Sequence, residues 1–129
     1  MNNVNMISIM ALSAILSAMY IWVDKMSDVR ISLNDIFMVL LMIGWMLLFS
    51  GNILAGLPIV LIAIYMIREQ TFVTEKQFIR GMIPHHSMAI LMSKKLLENR
   101  RQISPELRQL ALNIIKTQSD EIAILKHLE

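Results

Sequence analysis

The sequence predicts an all-α protein in which three transmembrane helices precede a C-terminal helical hairpin. Three observations carry that prediction. The chain is 56% hydrophobic over its 129 residues, with a mean hydropathy of +0.57, values typical of membrane proteins and high for water-soluble ones. Its charge is uneven: of 12 Lys and Arg, only Lys25 and Arg30 precede Arg68. Beyond Arg68 the apolar runs give way to amphipathic helical spacing. Residues 1–70 are therefore expected to form a membrane domain, with spans at about 4–23, 31–50 and 52–68, and residues 71–129 the hairpin.

Residues Val4–Val23 carry no charge, and about 20 apolar residues suffice to cross a bilayer. Met1–Asn5 lacks the basic start of a signal peptide, and the run ends on bulky residues, so an uncleaved span is expected, with Tyr20 and Trp22 at the headgroup level. Ser13, Ala14, Ser17 and Ala18 form two small-xxx-small pairs that let a neighbouring helix approach closely. Asp24–Asp35 reads as a polar connection in which Ser32 or Asn34 caps the next helix. Ile36–Ile67 is uncharged over 32 residues. The triplet Ser50-Gly51-Asn52 is turn-forming and divides it into two spans. Pro58 falls within the third, where Pro is tolerated.

Thr74 and Gln77 have capping-box spacing and open the first hairpin helix. Pro84 should kink that helix or start a new one. Asn99–Ser104 is a polar loop. Ser104-Pro105 opens the last helix, with Ser as cap and Pro at the first helical position. A hairpin alone buries one side of each helix, and pairing two copies into a four-helix bundle would bury the other. The expected partners are the lipid bilayer and a second copy or a larger membrane complex.

Several function classes are excluded. With no Cys, disulfides and thiolate metal sites are impossible. A net charge of +2, with basic residues scattered along helices, speaks against nucleic-acid binding. No Asp, Glu, Lys, Arg or His lies within the runs Val4–Val23 and Ile36–Ile67 that the expected spans are built on, so no ion path is supported. There is no nucleophile–base set and no Gly-rich phosphate loop, so no catalysis is expected.

Chemistry concentrates in Gly81–Met92, which holds His85, His86, Met82, Met88 and Met92. Met82 and His86 are four apart, and His85, Met88 and Met92 are spaced by three and four, so each set shares a helix face. His85 and His86 point about 100° apart on a regular helix. Imidazole and thioether without thiolate suit copper, thioether favouring Cu(I) and imidazole also serving Cu(II). Met equally fills gaps in helical cores, and residue type alone leaves both roles open. Met38, Met42 and Met46 form a stripe on the second span that fits helix packing better than metal transfer.

The segment Phe78-Ile79-Arg80-Gly81-Met82-Ile83-Pro84-His85-His86-Ser87-Met88-Ala89-Ile90 resembles the signature of the family called domain of unknown function 305. Pro105–Ala111, and Ile114-Ile115 with Gln118 and Glu121-Ile122, resemble its second motif, so the likeness covers about residues 70–129. The resemblance implies a ferritin-like half-bundle and an extracytoplasmic copper-binding role in metal tolerance. It makes Met82, His85 and His86 the leading ligand candidates for a copper ion, Cu(I) or Cu(II), with Met88 and Met92 beside them. Gln118 and Glu121 are candidates to orient a ligand His. The family's Met one turn after the Glu-Ile pair is replaced here by Leu125, which puts one donor in doubt; Met88, Met92 or His127 are the available substitutes. A ferritin-type di-iron enzyme needs Glu-x-x-His pairs, and none occurs. The resemblance places the C-terminal domain outside the cell membrane, whereas the positive-inside rule places it inside; the extracytoplasmic side is expected.

Overall fold

Local capping sets most helix boundaries in the computed structural model, which describes residues 2–17, 21–99 and 102–129. Helix α1 (Asn3–Leu16) starts where the Asn2 side chain accepts the Asn5 N–H at 2.9 Å. Helix α2 (Leu33–Phe49) starts at Ser32. The Asp35 carboxylate accepts both the Ser32 N–H, at 2.7 Å, and its hydroxyl, at 3.0 Å. Helix α3 (Ile53–Glu69) follows a short turn and is capped by Asn52, whose side chain accepts the Ala55 N–H. In that turn Gly51 has φ of +90°, a conformation that favours glycine after a helix end. Helix α4 (Glu75–Asn99) is preceded by Thr74, whose Oγ1 accepts the Gln77 N–H. Helix α5 (Pro105–Leu128) has Ser104 as its cap, accepting the Leu107 N–H at 3.1 Å. Among the described residues all regular structure is helical.

The expected membrane spans are overturned. The first uncharged run does not form one helix: α1 has 14 residues, and the chain has left it by Ser17. Helices α2 and α3 have 17 residues each, about 25 Å at the α-helical rise, against a hydrocarbon core of about 30 Å. Among the described residues no helix is long and apolar enough to cross a membrane. The spans at 4–23, 31–50 and 52–68 are thus corrected to shorter helices, and the cell-membrane location and sidedness built on them fall with them. Trp22 is exposed and lies outside any α-helix. Tyr20 and Ala18 lie outside the described residues, as do Arg100 and Arg101 of the expected loop.

The chain divides into two units. The first comprises α1 with Ser32–Gln77. Here α2 packs against α3, and α1 against α2. The α2–α3 approach is close because glycines face it. A Cβ on Gly56 would stand 2.5 Å from the Leu48 nitrogen and 2.9 Å from the Gly44 carbonyl oxygen. Asn34 and Gln70 exchange side-chain amide hydrogen bonds of 3.1 and 3.2 Å between the start of α2 and the end of α3.

The second unit comprises residues 21–31 with Phe78–Glu129. Its core is Ile79, Ile83 and Ile90 of α4 and Ile122 of α5, with Ile115 and Leu125 packed against them. No new helix begins at Pro84, because α4 is continuous through it. The proline is fully buried, so its ring adds packing that offsets the hydrogen bond it lacks. The polar stretch that reads as a connection is instead a strap on the hairpin. It includes a 3₁₀ turn at Met26–Asp28 and carries the buried Val23 and Asp28.

Candidate metal-binding site

Helical spacing places Phe78, Met82 and His86 on one stripe of α4. Glu121, Ile124 and Leu125 of α5 face them across an open groove of about 200 Å³. Phe78 and Ile124 are half or more exposed at its rim. Met82 and His86 are partly buried.

His86 spans the groove: its Nε2 lies 3.2 Å from Glu121 Oε2. Gln118 donates from Nε2 to the same carboxylate oxygen at 3.3 Å. The other imidazole nitrogen, Nδ1, is buried and has no hydrogen-bond partner. Burial pushes the His86 pKa below its ordinary value, and repulsion from His85 adds to this while Glu121 opposes it. The imidazole is therefore neutral at neutral pH. A carboxylate only accepts, so Glu121 beside Nε2 favours the tautomer that carries the proton there and leaves Nδ1 with its lone pair. A carboxylate beside one imidazole nitrogen, with the other nitrogen unpartnered, is a common setting for a metal-ligating His.

The other candidates separate from this groove. His85 and Met92 are exposed and Met88 is partly buried, and none of the three lines the groove. They form a neighbouring stripe on α4 by their spacing of three and four. His127 is exposed near the end of α5. Leu125 lines the groove with an alkyl group and offers no donor there. Met38 and Met42 lie exposed on α2 in the first unit, with Met46 partly buried. Among the described residues no group of three or more His, Asp and Glu is placed to hold a metal ion. Any metal site in the groove therefore depends on thioether.

A second polar cluster was not anticipated from sequence. The Ser87 hydroxyl donates to Asp28 Oδ2 at 2.6 Å and accepts the Asp24 N–H at 2.8 Å. Lys126 pairs with Asp28, and Lys94 with Asp24 at 2.8 Å. Arg30 binds both Glu129 carboxylate oxygens at 2.9–3.0 Å. The only sequence signal was the charge density of Asp24–Arg30, which a solvated loop would also show.

Comparison with known proteins agrees with the hairpin motifs. The family model described as "Domain of unknown function (DUF305)" matches residues 65–129. The chain is also similar to "Uncharacterized protein L153" of Acanthamoeba polyphaga mimivirus. The two are 40% identical over 138 aligned positions, covering 95% of this chain and 89% of that protein. No solved structure matches the chain. With the family model covering half of the sequence and this relative nearly all of it, the chain belongs to the domain of unknown function 305 family.

Proposed function

We propose that this protein binds copper at the Met82–His86 groove and serves metal tolerance, buffering or delivery. The observation that carries the reading is the buried, unpartnered Nδ1 of a neutral His86 one helical turn from the Met82 thioether. A borderline nitrogen donor beside a soft sulfur donor matches copper better than the hard divalent cations. Glu121, steadied by Gln118, fixes the ring. When bound, copper would be held by Met82 and His86, and the ion supplies the chemistry of a soft Lewis acid. This chain's own residues bind and orient it and exclude water along the apolar rim. With Leu125 in place of a thioether the groove holds few donors, which suits an exchangeable ion better than a stored one. His85, Met88 and Met92 form an outer stripe of further donors.

The test is copper stoichiometry and competition affinity of the purified chain beside His86→Ala and Met82→Leu. We expect stoichiometric copper in the parent protein and its loss in His86→Ala, with Met82→Leu weakening Cu(I) more than Cu(II). Equal copper content in all three proteins would overturn the reading.

One observation favours a second role, as an assembly subunit of a larger protein complex. Helices α2 and α3 expose large apolar side chains, with Leu54 92% and Phe49 81% exposed. Metal-free copurification with a complex, lost on Leu54→Glu, is the result this reading expects.

A further inference from the structure

We infer that Asp28 is a positioning residue for His86: it clasps Ser87 of α4 and Lys126 of α5 and so fixes how the two sides of the groove face each other. The name of the site rests on the copper reading above; the positioning itself rests on geometry alone.

Asp28 is 3% exposed. One carboxylate oxygen takes the Ser87 hydroxyl and the other the Lys126 ammonium. Ser87 directly follows His86, and Lys126 directly follows Leu125, which lines the groove. Ser87 is itself completely buried, and both its hydrogen-bonding directions are used, one toward Asp28 and one from the Asp24 N–H.

On α4 the His86 and Ser87 side chains project about 100° apart. A helix held at Ser87 is not free to roll about its axis, and a roll is the motion that would carry His86 away from Glu121. Ligand geometry has to be held to about 0.5 Å and 10–20° to be useful. The same carboxylate anchors α5 five residues beyond Glu121, so both partners of the His86–Glu121 link are referred to one fixed point on the strap.

The charge environment agrees. Asp28 meets Lys126 from α5, Ser87 from α4, and Lys25 from its own strap, and it also interacts with Arg30. Burial by itself raises the Asp28 pKa, but the Lys126 and Ser87 hydrogen bonds and the two lysine charges outweigh it, and the net shift is downward. A buried carboxylate is a costly way to fasten a strap; an apolar side chain would do that alone. What the carboxylate adds is direction, because it holds two particular donors on two particular helices.

The experiment is nitrogen-15 NMR of the His86 imidazole in the metal-free full chain, followed by Cu(I) competition affinity. The variants are Asp28→Asn, Ser87→Ala and Lys94→Ala. Lys94→Ala removes a strap ion pair of similar geometry without touching Asp28, Ser87 or Lys126. We expect the parent protein to show the tautomer with the proton on Nε2. Asp28→Asn and Ser87→Ala should mix the tautomers and weaken copper about tenfold, the low end for losing an outer partner of a ligand. Lys94→Ala should do neither. Should Asp28→Asn fail to fold, Ser87→Ala, which keeps the Asp28–Lys126 pair, carries the test. A folded Ser87→Ala with unchanged tautomer and affinity overturns the inference, as does an equal change in Lys94→Ala. Absence of copper from the parent protein would sink the copper reading while the tautomer result still decides positioning.

Discussion

Helices α2–α3 and α4–α5 are both antiparallel pairs, yet they are held together by different physics. In the first, glycine lets two apolar helices meet backbone to backbone at Gly44 and Gly56, and polar links sit at the far end, between Asn34 and Gln70. In the second, isoleucines hold the helices at side-chain distance, and a strap of charged residues ties them from outside through Asp24, Asp28 and Arg30. The first arrangement depends on volume and the second on charge. Each unit also carries its own reporter, Trp45 on α2 and Trp22 on the strap, so single-tryptophan variants can follow the two separately.

The largest effect is expected where backbone meets backbone. A side chain at Gly56 would press on the Leu48 nitrogen and the Gly44 carbonyl, neither of which can turn aside as a rotamer would. Gly56→Val should cost about 3 kcal/mol, the upper end for overpacking, seen as early unfolding at Trp45 in denaturant. Unchanged Trp45 unfolding would mean that α2 and α3 do not rely on this approach. Gly51→Ala should cost less, about 1 kcal/mol, since nothing crowds its Cβ and only its positive φ is strained.

Next in size is the strap. Asp28→Ala strands Lys126 and removes the acceptor of a fully buried serine hydroxyl. Breaking a buried pair costs about 3–5 kcal/mol, and because Lys126 is partly exposed we expect about 2–3 kcal/mol, reported at Trp22 and not at Trp45. An equal response at both tryptophans would show that the two units do not unfold independently.

This contrast explains what the sequence made legible. Caps are local, so Thr74, Ser104-Pro105 and the Ser50-Gly51-Asn52 turn were readable and fall where expected. The pairing of Met82 with His86 was readable because it follows from the helical repeat. Span length was not. An uncharged run such as Val4–Val23 shows only that no charge interrupts it, and here the helix stops at Leu16 while residues 21–23 belong with the hairpin. The strap was hidden because its partners lie 59–98 residues away, and a run of Asp, Lys and Arg looks the same whether it is solvated or clasped. At Pro84 only one of the two local expectations is settled: no new helix starts there, and the fully buried ring sits inside a continuous α4.

Acid should separate the two units further. The folded pKa of His86 lies below its ordinary 6.5. The unfolded chain therefore takes up the proton first, and stability falls as pH drops from 6.5 toward the folded value. The folded pKa of Asp28 lies below 3.8. Its contribution is present above 3.8 and is lost as pH falls through the folded value. Denaturation followed at Trp22 should show two acid steps, the upper absent in His86→Gln and the lower absent in Asp28→Asn. A single step that survives both substitutions would assign the acid response to other groups.

The smallest effect belongs to an ion pair with one of the shortest distances. Lys95 and Glu98 meet at 2.6 Å, three residues apart on α4, but their side chains are 58% and 57% exposed. Water competes for both charges, and holding two long side chains in one geometry costs rotamer freedom, so such pairs contribute between zero and about 0.5 kcal/mol. Lys95→Ala should leave the Trp22 transition within that range, and 1 M salt should change it little more. The Arg30–Glu129 pair is longer at 2.9 Å, but it is bidentate and its side chains are only 23% and 20% exposed. Arg30→Ala should therefore cost more than Lys95→Ala, about 1 kcal/mol. If the two variants prove equal, burial is not what gives the strap its strength, and the contrast with the glycine-packed helices loses its physical basis.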